Sequence, residues 1–405
     1  MDTATCSMKL THDDDMSSPP SRNTPSVSSS LETDTRLSPD ANGRERPVLK
    51  TWLLENAPEY RHLDALRQKG WENKAGDVFF QKQRHQADHA DEKTIKFFYK
   101  MMKNIASEMN QATGALRVHV TWPGKPRLLD FCAAPGGFLE SAIRMNARAE
   151  ATGFSLPPTQ GGHEVIMPLG ANVAFKYADI TMFAGDMGCY TEDNIIPQDH
   201  PDAESFVLEP AIERGRRFDL IFCDGQVLRT HARAAYREPW ESRRLTATQL
   251  AIGLEHVSLG GTMVVLLHKL EAVDTVNLLY TFSRFSSIQL FKPRSAHAKR
   301  SSFYMVATNI NSNSPHAREA IEYWKTLWRV LTFGSDEERS NKISEGHMDQ
   351  QVLVEQFGPD LVRLGKRIWE IQARALEKAP FMQAGQNERI QRPAEGGPSS
   401  FSSWQ

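Results

Sequence analysis

Apolar and basic residues alternate at helical spacing over 91–109, where Ile95, Phe98, Met102 and Ile105 fall on one stripe and predict an amphipathic helix. A short apolar run, 127–130, then ends in Asp130 and opens into Pro135-Gly136-Gly137, after which Phe138 to about Ala149 reads as a second helix. Strands are expected at 151–156 and 173–180, separated by a Pro- and Gly-rich loop over 157–170, and at 218–224, where Asp224 stands at the exit with Gly225 next. A helix carrying Leu250, Leu254 and Val257 leads into Gly260-Gly261 and the strongest apolar run of the chain, 263–267. Segments 288–291 and 303–307 close the domain as a strand pair. Strands alternating with helices predict an α/β fold with a parallel sheet, and the terminal pair gives that sheet an antiparallel edge. Beyond Asn311, residues such as Trp324, Trp328, Leu353, Phe357, Leu361, Leu364 and Trp369 recur at helical intervals over 316–332 and about 348–377. They predict a C-terminal helical extension packed on the sheet or on the N-terminal helix.

The run ending in Asp130 has the form of a nucleotide-cofactor site. A buried strand would deliver the acid to the carboxyl edge of a parallel sheet, and Gly136 and Gly137 would let a charged ligand approach bare backbone at a helix N-terminus. The spacing is not Gly-x-Gly-x-x-Gly, so a dinucleotide is not the natural ligand.

Composition sets the limits of this domain. Residues 1–45 are rich in Ser, Thr, Pro and Asp and nearly devoid of large apolar side chains, and 383–405 are similar, so both are expected to be disordered tails. A helical lead-in is expected over 46–90, the sheet domain over 91–311 and the helical extension over 312–382. The whole chain carries a net charge of −2, whereas its first 45 residues hold eight acids against four bases, so the remainder is mildly basic. No apolar run approaches the roughly 18 residues of a membrane span, and no membrane association is expected. The acids Asp13, Asp14 and Asp15 argue against a secretory or mitochondrial leader. Cys6, Cys132, Cys189 and Cys223 lack metal-type spacing, which predicts no metal site, a reducing compartment and a cytoplasmic or nuclear protein.

The string Asp-Phe-Cys-Ala-Ala-Pro-Gly-Gly-Phe at 130–138 closely resembles the first motif of FtsJ-like (RrmJ-like) ribose 2′-O-methyltransferases. The resemblance implies a Rossmann-like seven-stranded methyltransferase sheet over roughly 95–310, S-adenosylmethionine as cofactor and RNA as substrate. It places the cofactor against Asp130, Phe131, Ala133, Ala134, Pro135, Gly136, Gly137 and Phe138. Asp179, in Lys-Tyr-Ala-Asp-Ile-Thr, resembles the acid that meets the adenine amine, and after the second strand only Ser155 is offered to the cofactor's ribose.

Methyl transfer to a ribose hydroxyl demands alignment and help in removing a proton. The family meets it with a Lys-Asp-Lys-Glu set. Carried over, the first lysine is Lys100, with Lys96 and Lys103 as competitors, and the aspartate is Asp224. The second lysine is expected after Gly260-Gly261, where an ungapped reading gives Leu266, and Lys269 serves if the strand runs on to His268. The fourth position, in a segment resembling the family's Lys-Pro…Tyr-x-Val-Ala, is Ser302 rather than Glu. A hydroxyl can orient a lysine but cannot stabilise its charge as a carboxylate does, so a catalytically impaired cofactor- or RNA-binding member is the alternative. The absence of Asn-Pro-Pro-Tyr or Asp-Pro-Pro-Tyr after Asp224 disfavours methylation of a base amino group. Two basic clusters are candidates for phosphate contact: Arg229, Arg233, Arg237, Arg243 and Arg244 with Tyr236 and Trp240, and Lys292, Arg294, Lys299 and Arg300.

Overall fold

The computed structural model describes residues 47–71, 73–120, 124–189 and 196–382, and the two expected tails lie outside them. Seven strands form one sheet: β1 (Arg127–Asp130), β2 (Glu150–Ser155), β3 (Val173–Tyr177), β4 (Phe218–Cys223), β5 (Val257–Leu267), β6 (Ser287–Phe291) and β7 (Phe303–Thr308). Their order is β3-β2-β1-β4-β5-β7-β6. The first five are parallel and β7 runs antiparallel between β5 and β6, as the alternating pattern and the terminal strand pair required. Strand order reverses between β1 and β4, which puts the exits of these two neighbours at the crevice where α/β sheets bind ligands.

Three helices, α1 (Val48–Asn56), α2 (Pro58–Trp71) and α3 (Lys74–Asp88), precede α4 (Glu92–Thr113). The last begins where Asp91 accepts a hydrogen bond from the Thr94 amide and stops at Gly114, whose φ of 70° ends the helix. Its stripe of Phe98, Met101, Met102, Ile105 and Met109 is buried with Leu139 and Ala142 of α5 (Gly137–Met145) on one face of the sheet. Gly137 makes that contact close: a methyl group there would meet the Tyr99 carbonyl oxygen at 2.6 Å. Helices α6 (Glu241–His256), α7 (Val273–Ser283) and α8 (Pro315–Phe333) share the larger core on the other face. Val257, expected to end a helix, instead opens β5, because Phe218 of β4 pairs with it before the register shifts.

The C-terminal extension adds α9 (Asp336–Glu345), which the apolar pattern does not announce, and α10 (Gln350–Glu377). It packs on the sheet domain and on the lead-in helices α1 and α2. From α8, Trp328 is wholly buried and its indole N–H donates to the Thr181 carbonyl at 2.9 Å. From α10, Trp369 packs on Tyr60 of α2 with ring centroids 5.5 Å apart, and Gly358 leaves room for the Trp52 ring of α1.

Lys292, at the end of β6, is a core residue rather than part of a phosphate-binding surface. Its ammonium is buried and donates to the carbonyls of His297, Arg300 and Ser302 at 3.3, 2.6 and 2.7 Å, gathering the β6–β7 loop around one cation. Burial, with Arg67 and Arg300 nearby, pushes its pKa down to about 7. Lys292→Met removes a buried charge yet leaves three carbonyls without their donor, and since each orphaned group costs about 1–3 kcal/mol the net loss should be about 3 kcal/mol. A urea unfolding midpoint unchanged from wild type would overturn this account of the loop.

Candidate cofactor and methyl-transfer site

The site is built where β1 and β4 end side by side. Asp130 is fully buried; one carboxylate oxygen accepts from the Cys132 amide at 3.1 Å, and the other has no hydrogen-bond partner. The turn that follows is pinned to neighbouring strands, with the Phe131 amide on the Phe222 carbonyl and the Ala133 amide on the Phe154 carbonyl. Gly136 takes a φ of 108°, and a methyl group on it would lie 2.5 Å from Met167, so this glycine admits the returning 157–170 loop. Asp224 follows β4 directly, and its Oδ1 also lacks a partner. Burial pushes its pKa up to about 7, and burial with the Asp224 charge raises Asp130 well above the usual carboxylate range.

Two carboxylates at neighbouring strand exits, Asp130 buried and Asp224 half-buried, each with an unpartnered oxygen, form an unfavourable arrangement that a cationic ligand relieves. S-adenosylmethionine brings an ammonium and a sulfonium, so the donor set fits it, and when bound it supplies an electrophilic methyl group. The cavity beside these acids, about 100 Å³, is lined by Phe131, Ala134, Ser155, Asp179 and Asp224 together with Phe98 and Met102 of α4. Of the expected cofactor set, Phe131, Ala134 and Asp179 are thus brought together with the catalytic candidate Asp224, and Asp130 is buried at the end of the neighbouring strand. Ala133 and Gly137 are in the core between helix and sheet, and Phe138 packs between Phe222 and Tyr304 at 5.6 and 5.7 Å. Pro135 accepts the Ile166 amide on its carbonyl, which ties the turn to the same loop that Gly136 admits.

Asp179 is heavily engaged. Its Oδ1 accepts from the Thr181 amide and hydroxyl and its Oδ2 from Arg237 at 2.8 Å. Burial works to raise its pKa, but Arg237 and Thr181 outweigh it and hold the carboxyl below the usual range. Asp179, His231 and Glu241 bring ligand-type atoms within 4.8 Å of one another, a set chemically suited to a divalent ion. The Arg237 guanidinium bonds both acids of this set, so their charge is already met by a cation of the chain itself.

The lysines are placed differently from the expectation. Lys100 is exposed on the side of α4 turned away from the buried stripe, while Tyr99 and Lys103 both donate to Glu140 of α5. Lys96 pairs with Glu92 one turn back. The β5 strand ends at Leu267, and Lys269 is exposed beyond it with a φ of 45°. Leu266 sits opposite Tyr304 in the β5–β7 ladder, and Ser302 is buried. No lysine lines the cavity beside Asp224 among the described residues.

Nor do the arginines form a free basic face. Arg229 pairs with Asp88, Arg233 with Glu238, Arg243 with Asp274 and Arg244 with Glu241, at 2.6 to 2.8 Å, and Arg237 and Arg244 are buried. Glu238 and Glu241 within the cluster were the one local signal of this neutralisation. Residues that sequence reasoning passed over include His268, which joins Gln226 beside Asp224, and Arg237 in its role as the cation of the Asp179 cluster.

A doubly wound sheet with paired acids at its reversal point and a cavity beside them defines a cofactor-binding α/β domain. The FtsJ-like methyltransferase family matches residues 106–310, half of the chain, and the protein belongs to that family. The matched span begins after Lys100 and includes every other expected site residue. No curated protein matches the sequence. Among solved structures, the chain is similar to an S-adenosylmethionine-bound amino pentose methyltransferase, CalS10, from Micromonospora echinaspora (14% identity, 41% of this chain and 49% of that chain, TM-score 0.21). The chain thus spans about half the length of that protein. It is also similar to a TehB-like methyltransferase from Corynebacterium glutamicum (12% identity, 57% and 96%, TM-score 0.27). A third is human methyltransferase-like protein 13 with S-adenosylhomocysteine (11% identity, 56% and 92%, TM-score 0.30).

Proposed function

We propose that this methyltransferase modifies a ribose 2′-hydroxyl of RNA, with Asp224 receiving the proton that the hydroxyl gives up. The observation that carries the reading is Asp224 itself: a carboxylate at the β4 exit, lining the cofactor cavity, with one unpartnered oxygen and a pKa of about 7. Methyl transfer to a hydroxyl releases one proton, and a base is most effective when its pKa lies near working pH. The family membership supports RNA as the acceptor.

A second reading, a cofactor- or RNA-binding module with impaired turnover, is favoured by the outward placement of Lys100 and Lys269, by Leu266 at the ungapped second-lysine position and by Ser302 at the fourth. One assay separates the two. Purified protein incubated with labelled S-adenosylmethionine and total cellular RNA should incorporate label resistant to base hydrolysis of the neighbouring phosphodiester. Asp224→Ala should lower the rate at saturating cofactor by about 100-fold or more. In the wild type kcat/KM for the cofactor should rise with pH through about 7, as the Asp224 carboxyl loses its proton, and the variant should lose this limb. Cofactor binding without incorporation would establish the second reading.

A further inference from the structure

A second cleft, of about 520 Å³, opens on the other side of Gly225, Gln226 and Val227, which with Leu245 it shares with the cofactor cavity. Its walls are α6, α7 and α8 with the end of α9, so much of it is built by helices beyond residue 310, where the family match ends. The volume falls in the range of small-ligand sites. The inner surface is apolar, with Leu245, Leu278, Trp324 and Leu327. The charges at its rim are engaged: Arg243 and His347 with Asp274, His316 with Glu319 and Arg284, and Glu345 with Lys342. Such a lining selects a neutral, flat ligand over a phosphate or a carboxylate.

One polar group in the cleft lacks a partner. His268, which follows β5, lines it, and the ring's Nε2 is 2.8 Å from Gln226 Oε1 while Nδ1 is closed from solvent and bonded to nothing. Gln226 uses its amide N–H to donate to the Gly225 carbonyl, so the oxygen is the atom facing the imidazole. An amide oxygen only accepts, hence Nε2 carries the proton and Nδ1 presents a lone pair. Burial and the cations Lys292, Arg300 and Lys269 push the imidazole pKa down to about 4, so the ring stays neutral at physiological pH although Asp274 also lines the cleft.

We infer that the α6–α7–α8 cleft is a nucleobase site, in which a base N–H donates to His268 Nδ1 and the ring lies against the apolar wall. The inference deepens the RNA reading and rests on it for the class of ligand. His268 then acts as a specificity residue, and the chain Nδ1–imidazole–Gln226 leads from the bound base to the strand exit that carries Asp224.

The test reads base binding alone, so its failure is distinct from a failure of RNA methylation. Protein labelled with nitrogen-15 in its imidazole rings, with the His268 signals assigned through His268→Gln, is titrated with adenosine, guanosine, cytidine and uridine in the presence of S-adenosylhomocysteine. The free protein should show His268 as the Nε2–H tautomer, and at least one nucleoside should move its Nδ1 resonance. Thr246→Trp, a change at an exposed α6 position on the cleft wall, should abolish that movement and leave S-adenosylhomocysteine affinity within twofold. An Nδ1–H tautomer, no movement with any of the four nucleosides, or movement that survives Thr246→Trp would each overturn the assignment, whether or not RNA is methylated.

Discussion

Asp130→Asn should weaken S-adenosylmethionine binding by roughly 30-fold or more and, in the same protein, raise the melting temperature measured without ligand at pH 7. Both effects come from one atom's surroundings. The carboxylate is buried, accepts only the Cys132 amide and shares its neighbourhood with Asp224. Bound to the cofactor's cationic group, a desolvated charge of this kind contributes about 2 kcal/mol or more, which is the stated loss of affinity. Without ligand the same charge is a burden. Its folded pKa lies above the value of an exposed carboxyl, so stability is greatest below that unfolded value and is lost as pH rises toward the folded one. The amide escapes this loss, hence the higher melting temperature at neutral pH. Calorimetric titration and thermal unfolding of both proteins check the pair of outcomes; equal affinity for the variant would remove Asp130 from the cofactor site.

The largest structural effect is expected at Arg237. Its guanidinium is buried and bonds Asp179, Glu241 and the Thr181 hydroxyl. Arg237→Ala strands two acids with reduced neutralisation, a change that costs about 3–5 kcal/mol when one partner of a buried pair is removed. For a domain of this size that corresponds to a melting temperature lower by roughly 10 °C. Arg237→Lys should recover only part of the loss, because one ammonium cannot reproduce the forked contacts to both acids. The sign with pH is also fixed. Asp179 has a lowered folded pKa, so its contribution is present above the unfolded value and disappears as pH falls through the folded one. In the alanine variant that acid-side loss should shrink, and thermal unfolding between pH 3 and pH 7 would reveal it; a variant with wild-type stability would show that the cluster is not held by this arginine.

The sheet and its two acids could be read from the sequence because their signals are local. An apolar run, an acid and a glycine turn within a dozen residues define β1, Asp130 and the start of α5, and the same logic places Asp224 at the end of β4. Lys100 and Lys269 depended on quantities a sequence does not state. Rotation of α4 about its axis, fixed by the burial of Phe98, Met102 and Ile105, turns Lys100 outward. The end of β5 at Leu267 and the backbone turn at Lys269 decide where that side chain goes.

Charge showed the same division. As sequence, the arginines of 229–244 and the cations of 292–300 form basic runs, since spacing along the chain cannot show an acid that folding brings from elsewhere. As structure, Asp88, Asp179 and Asp274 come from distant segments to meet the first group, and Lys292 is enclosed by the carbonyls of its own loop. Sequence alone therefore determined the α/β class and the acids at the strand exits, which follow from short-range periodicity and turn chemistry, and the methyltransferase family resemblance, which rests on the 130–138 string. Tertiary packing alone decided which charges are spent inside the protein, which lysines miss the cleft, and that His268 and Gln226 meet beside Asp224, because ion pairing and burial depend on distances across the fold.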